Sequence, residues 1–444
     1  MKLITNNNSI FFFLAIGVVS CACFGFSNFP EGDDDYADDN HLRYDDYTYN
    51  DSIKSVLLYN SRSALTYPII PINGDEIIKL SFDDLSRKYI NYYYTIIHCN
   101  ANWTPSDLES NEYINGFNEN QIIDYKYAFN TDLYYTHYNT EFPNENLSFT
   151  KSGNYIIKVY PEDKPNEPIL TKRFMVYNPQ VTITMNIHRA TNVDDQFFRQ
   201  EVDFNINHEN YDIPNPFKDL NVVIMQNHRW DNAITGLKPR FVKDNELDYN
   251  YDGKNVFDGD NEYRNFDLKS IKYQTINIKK IQYEPEDKLV HAYILDDNVR
   301  SYKQYSSMPD LNGNFLIKRN EGNDSEIEAD YVKVHFSLPY NFPITDGNLY
   351  IFGKLSDWKF KDEFKMDYDS AHVRYTKEIL LKQGYYDYMY CVVKDGAKNK
   401  GDLSIIEGSF YETKNEYSIL VYYRSPKDNY DLLIGYNTET SGSK

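Results

Sequence analysis

Carboxylates, imidazoles and thiols are the side chains in this chain that could carry a reaction, and their spacing decides which reactions are open. The sharpest carboxylate pair is Asp83-Asp84, flanked by Phe82 and Leu85. A glycosidase needs two opposed carboxylates, one with a raised pKa. Neighbours on a strand point to opposite faces, so this pair reads as turn-forming acceptors. His98 beside Cys99 has the look of a base and a nucleophile, but the same alternation parts them. His98 and His137 read as core or edge histidines. Asp310-Leu311-Asn312-Gly313-Asn314, with Glu321 eleven positions after Asp310, approaches a calcium loop. Its glycine comes fourth instead of sixth and Phe315 occupies the turn position, so a hairpin turn is the better reading. GxSxG, Walker, HExxH, Rossmann and CxxC patterns are missing from the sequence. No catalytic residue, metal or cofactor is therefore expected.

Aromatic residues offer a second kind of chemistry. Leu349-Tyr350-Ile351-Phe352-Gly353 with Asp357-Trp358, followed by Gly384-Tyr385-Tyr386-Asp387-Tyr388, resembles the glycogen-binding type of immunoglobulin-like module. In such a module Trp358 and Tyr385 would stack on sugar rings, which makes a carbohydrate-binding envelope lipoprotein the alternative function. The same pattern also builds a core and corner without any sugar.

These side chains must be held by strands. The chain has 444 residues, too many for one ordinary core, and its aromatic content is 16%, with 43 Tyr against 3 Trp. Tyrosine suits half-buried strand faces. Alternating runs such as Ile77 to Phe82 and Val181 to Ile187, with turns every eight to twelve residues, predict an all-β protein of tandem β-sandwich, immunoglobulin-like domains. The formal charge of −21 and the lack of a basic stripe argue against nucleic acid, because phosphate contacts need clustered Lys and Arg. Cys99 and Cys391 are the only cysteines of the body, far apart and inside strand-like runs, and read as small buried apolar side chains.

The N-terminus is organised differently. Lys2 and the apolar Ile10 to Val19 run form an export signal, and Val18-Val19-Ser20-Cys21 resembles a lipobox in which Cys21 would carry the lipid. That anchor is the only membrane contact expected, since no later stretch is apolar enough to span a bilayer. The expected order is a signal or lipoprotein segment at 1–28, an acidic disordered leader at 29–52, and a β-sandwich at 53–178. A second β domain at 179–325 and an immunoglobulin-like domain at 326–440 follow, divided by the acidic stretch from Asn320 to Asp330.

Several motifs then carry a likeness. Phe82-Asp83-Asp84-Leu85, the run His98-Cys99-Asn100-Ala101-Asn102-Trp103-Thr104-Pro105-Ser106, Gly116-Phe117, Tyr135-Thr136-His137-Tyr138 and Ser152-Gly153-Asn154-Tyr155 resemble the type IX secretion system plug proteins of Bacteroidetes. The likeness continues through Gln226-Asn227, Phe257, Asn261-Glu262-Tyr263-Arg264, Phe266-Asp267, Ala329-Asp330-Tyr331 and Leu381-Lys382-Gln383-Gly384-Tyr385-Tyr386. It ends in Leu420-Val421-Tyr422-Tyr423-Arg424 and Tyr430-Asp431. What the resemblance implies is a non-enzymatic periplasmic protein on the inner face of the outer membrane. It would dock on the outer-membrane type IX translocon barrel and seal its periplasmic mouth when no substrate passes. The resemblance assigns no interface residues.

Overall fold

The computed structural model describes residues 41–397 and 400–442. The signal segment, Cys21 and the leader residues 29–40 lie outside the described residues. Strands dominate, and they close into three sandwiches. Among the described residues no helix is long and apolar enough to cross a membrane.

The first sandwich faces a six-stranded sheet against a four-stranded one. The larger runs Tyr47–Thr48, Leu170–Tyr177, Gly153–Pro161, Tyr92–Cys99, Glu119–Gln121, with Ile69–Pro71 added in parallel to Leu170–Tyr177. The smaller runs Ile53–Asn60, Ile78–Asp84, Thr136–Phe142, Asp124–Tyr127. Period-2 alternation sends Ile78, Leu80 and Phe82 inward to meet Tyr92, Tyr94, Ile96, Tyr155 and Phe174. Those rings and branched chains fill the core, with Phe82 stacked on Tyr138 at 5.2 Å.

Two predicted boundaries change. The strands Glu416–Tyr423 and Leu432–Thr440 do not belong to the third sandwich: Leu220–Gln226 pairs antiparallel with Glu416–Tyr423 from Leu220↔Tyr423 to Gln226↔Tyr417. The second sandwich is thus built from the strands between Thr182 and Asp258 together with the C-terminal hairpin, around Phe204, Val222, Tyr249, Ile419 and Val421. The third is inserted between its halves, from Arg264 to Glu407, with its core at Phe266, Val334, Phe336, Ile351 and Tyr388. The stretch 320–330 is no free linker either. It holds the short helix Ser325–Glu328, capped by the Asp324 side chain accepting from the Glu326 amide, and Glu326 meets Lys79 of the first sandwich at 2.6 Å.

The leader needs correcting at its C-terminal end. Tyr47 is buried, Tyr47–Thr48 pairs with the Leu170–Tyr177 strand, and Asp46 meets Lys354 at 3.4 Å. Asp45 is paired with Lys359. Its carboxylates are seated on lysines of the third sandwich, so from His41 onward the acidic stretch is ordered by ion pairs that a charge count alone does not reveal.

Candidate functional site

The motif residues converge in space, and they converge between the sandwiches. Asp83 is the penultimate residue of the Ile78–Asp84 strand, on the face opposite Phe82 and across from His137 in the adjacent strand. Facing it, the third sandwich pairs Tyr331 with Lys382 in neighbouring strands. The Lys382 ammonium reaches Asp83 Oδ2 at 2.6 Å, the Tyr331 hydroxyl donates to the same oxygen at 2.6 Å, and His137 Nδ1–H donates to Oδ1 at 2.6 Å. Lys382 also donates to the Glu326 carbonyl at 2.6 Å and stands 4.1 Å from the centre of the Tyr135 ring. Asp83 is 0% exposed. Burial alone would raise its pKa, but the Lys382 and His137 charges overcome it and hold the carboxyl below its usual range. Asp83 is therefore no turn acceptor. Asp84 is one, taking the Ser86 amide at 2.8 Å, and it also accepts the Tyr92 hydroxyl at 3.0 Å.

A different junction joins the first and second sandwiches. His98 and Cys99 do part as alternation requires. His98 turns toward Tyr113 and Tyr155, where burial pushes its imidazole down to about 4. Cys99 joins Ala101, Trp103, Ile156 and Met175 against Val223, Met225, Leu420 and Tyr422 of the second sandwich. Burial pushes the Cys99 thiol up to about 12, which removes it as a nucleophile near neutral pH. Both Cys99 and Cys391 are free. The turn after Cys99 places Trp103 at φ 65°, held by the Trp103 amide to Asn100 carbonyl bond at 2.9 Å. Its ring meets Trp230 edge-on at 5.1 Å, with the Arg173 guanidinium 4.4 Å from its centre. Polar bonds fasten it as well: within the contact the Ala101 amide donates to Asp431 Oδ2 at 2.9 Å and the Tyr422 hydroxyl donates to Asn154 Oδ1 at 2.7 Å, and at the exposed rim Arg424 donates to Asn100 Oδ1 at 2.9 Å.

Trp358 sits at the third junction, between the second and third sandwiches. Its ring lies 5.4 Å from Phe352 and 6.1 Å from Tyr263, and the Arg229 guanidinium from the second sandwich stands 5.0 Å from its centre. Tyr385 instead has the Lys269 ammonium 5.7 Å from its ring, and among the described residues no ring contact joins the two. Nearby, Glu407, 0% exposed, binds Arg264 at 3.0 Å and Arg300 at 2.6 Å.

The calcium-like spacing is also dissolved by the fold. Asp310 accepts the amides of Tyr263 and Asn312, while Glu321 accepts from Ser270 Oγ at 2.5 Å. Asp387 lies beside Asp310 with Oδ1 unbonded, and burial first, then the Asp310 charge, raises it to about 8. A cleft of about 1150 Å³ opens between the first and third sandwiches, lined by Tyr47, Lys54, Lys354, Asp357, Lys361 and Glu363. Among the described residues no group of three or more His, Cys, Asp or Glu side chains is arranged to hold a metal.

One feature escaped motif reading. Tyr89, Tyr125, Tyr127 and Tyr134 are exposed and in ring contact in that order, at 4.4, 5.8 and 6.0 Å. Tyr125 and Tyr127 at i and i+2 were the available signal, since they share one strand face.

Comparison with known proteins adds to this geometry. Residues 53–178 match the family model described as "Type 9 secretion system plug protein 1st domain". The chain is similar to a hypothetical protein from Parabacteroides merdae of solved crystal structure, with 36% identity and a TM-score of 0.86, over 90% of this chain and 100% of that one. A Pseudomonas fluorescens alkylpurine DNA glycosylase bound to DNA matches only at a TM-score of 0.16 and 8% identity, over 28% of this chain and 30% of that one, which carries no argument. No curated protein matches.

Proposed function

Because this chain belongs to the type IX secretion system plug family, we propose that it is the periplasmic plug of that system, docking on the outer-membrane translocon barrel and sealing its mouth between substrates. The family is a secretion component of the envelope, and association with the secretion apparatus follows from membership. The observation that supports sealing is the triangle of junctions. Each sandwich is fastened to both others, by the Asp83–Lys382 pair, the Trp103–Trp230 contact and the Arg229–Trp358 contact. A seal works as a rigid body, and these three junctions tie the sandwiches to one another. Reversible docking calls for a partly polar contact surface with aromatic anchors.

The test is outer-membrane permeability. Cells lacking the protein should admit a large antibiotic or fluorescent dextran through unsealed translocons, and re-expression should close the leak. Unchanged permeability, with the chain purifying free of the translocon, would remove the sealing role.

A further inference from the structure

We propose that the free edge of the Asp124–Tyr127 strand docks an extended segment of a secretion-apparatus protein, which adds to the first sandwich as a further β-strand over the tyrosine ladder. This rests on the reading of the chain as a secretion component and names the surface and the manner of contact.

The strand ends its sheet: among the described residues it pairs with Thr136–Phe142 on one side and no strand lies on the other, where just past its end the Phe129 amide donates to the Ile327 carbonyl at 2.9 Å. All four of its residues are exposed. A terminal strand presents a row of backbone donors and acceptors, and an added extended backbone satisfies that row. Its two faces divide cleanly. Asp124 and Lys126 take one, where Lys126 reaches Asp324 of the third sandwich at 3.2 Å. Tyr125 and Tyr127 take the other, flanked by Tyr89 and Tyr134, with exposures of 37, 47, 42 and 38%. Tyr125 also contacts buried Tyr138 at 6.0 Å, so the ladder is the core's own aromatic array carried out into solvent. Ile123 and Phe129 at the strand's two ends are exposed as well.

Another terminal strand shows what a protected edge looks like here. Ile278–Glu284 ends its sheet in the third sandwich and carries exposed Lys279 and Lys280, charges that repel an added strand. Asp124–Tyr127 has a face free of charge in a chain of net charge −21. The occupant that fits is an uncharged strand with apolar or aromatic side chains at alternate positions, not a basic tail.

The experiment is site-specific photo-crosslinking in native cells, with benzoylphenylalanine in place of Tyr125 or Tyr127, and in place of Tyr302 or Phe342 on the third sandwich as controls. Adducts are identified by mass and the crosslinked residues mapped. The proposal expects adducts at 125 and 127 with one secretion-apparatus protein, at residues stepping by two along a single segment. It also expects the Tyr125→Ala/Tyr127→Ala variant to lose roughly tenfold or more of that protein on co-purification, as removal of aromatic anchors does. Adducts with secretion proteins at 302 or 342 alone would overturn this inference and leave the plug reading standing. An adduct of two copies of this chain would make the occupant a second copy and also overturn it. No adduct with any secretion protein at any position would overturn both.

Discussion

Two junctions hold the first sandwich, and they are built from opposite materials. Against the third sandwich it presents a buried carboxylate, Asp83, bonded to an ammonium, an imidazole and a phenol. Against the second it presents Cys99, Ala101, Trp103 and Met175, a mostly apolar face crossed by a few hydrogen bonds, such as the buried Ala101 amide to Asp431 and the exposed Arg424 to Asn100. Apolar burial is adhesive but tolerant of sliding. A desolvated ion pair adds little net adhesion, yet it penalises every arrangement that leaves a charge unpaired. The difference teaches that one contact supplies attachment and the other fixes orientation.

Breaking the charged node should have the largest effect. Lys382→Ala leaves Asp83 buried without its cation and should cost about 3–5 kcal/mol in denaturant titration. The paired Asp83→Leu/Lys382→Met variant should recover most of that loss while loosening the angle between first and third sandwiches, measurable by small-angle scattering. If the double variant were as unstable as the single, orientation would not be the role of the pair.

Trp103→Ala attacks the apolar junction and should cost up to about 3–5 kcal/mol through a cavity against Trp230. Unlike Lys382→Ala, its cost should shrink on cooling from 25 toward 5 °C, since hydrophobic burial weakens there. A temperature-independent cost would blur the contrast.

Asp387→Asn probes a buried carboxyl that has no cation beside it among the described residues. Burial raises its carboxyl in the folded state to about 8, well above the usual carboxylate range, so the folded state holds a proton that the unfolded chain releases. The stability it contributes is full below about 4 and is lost as pH rises through about 8. The asparagine variant should therefore gain on wild type by about 3–4 kcal/mol between pH 5 and pH 8. Parallel pH profiles for the two proteins would contradict this.

Smallest of all should be Lys54→Ala, which removes the half-exposed Lys54–Glu363 pair across the charged junction. It should change stability by about 0.2–1 kcal/mol and vanish in high salt.

Much of the architecture was legible, because tyrosine and β-branched alternation is a local property. Strand partners were not. Leu220–Gln226 and Glu416–Tyr423 are both continuous apolar runs, and nothing within either names the other across the inserted sandwich. Asp83 was misread for the same reason: its ammonium lies 299 positions away, beyond any spacing rule. Trp358 looked like a sugar platform because an aromatic after a strand has the same local pattern whether it faces solvent or Arg229. The resemblance motifs were found correctly as markers of family, while their role as fastenings between sandwiches became visible only once the chain was folded.

Calorimetry of the folded chain tests that role most directly. If the motif residues fasten three sandwiches into one body, wild type should melt in a single transition whose calorimetric and van't Hoff enthalpies agree, and Lys382→Ala should split it. Separate transitions in the wild type, with Lys382→Ala shifting only one of them, would contradict the account.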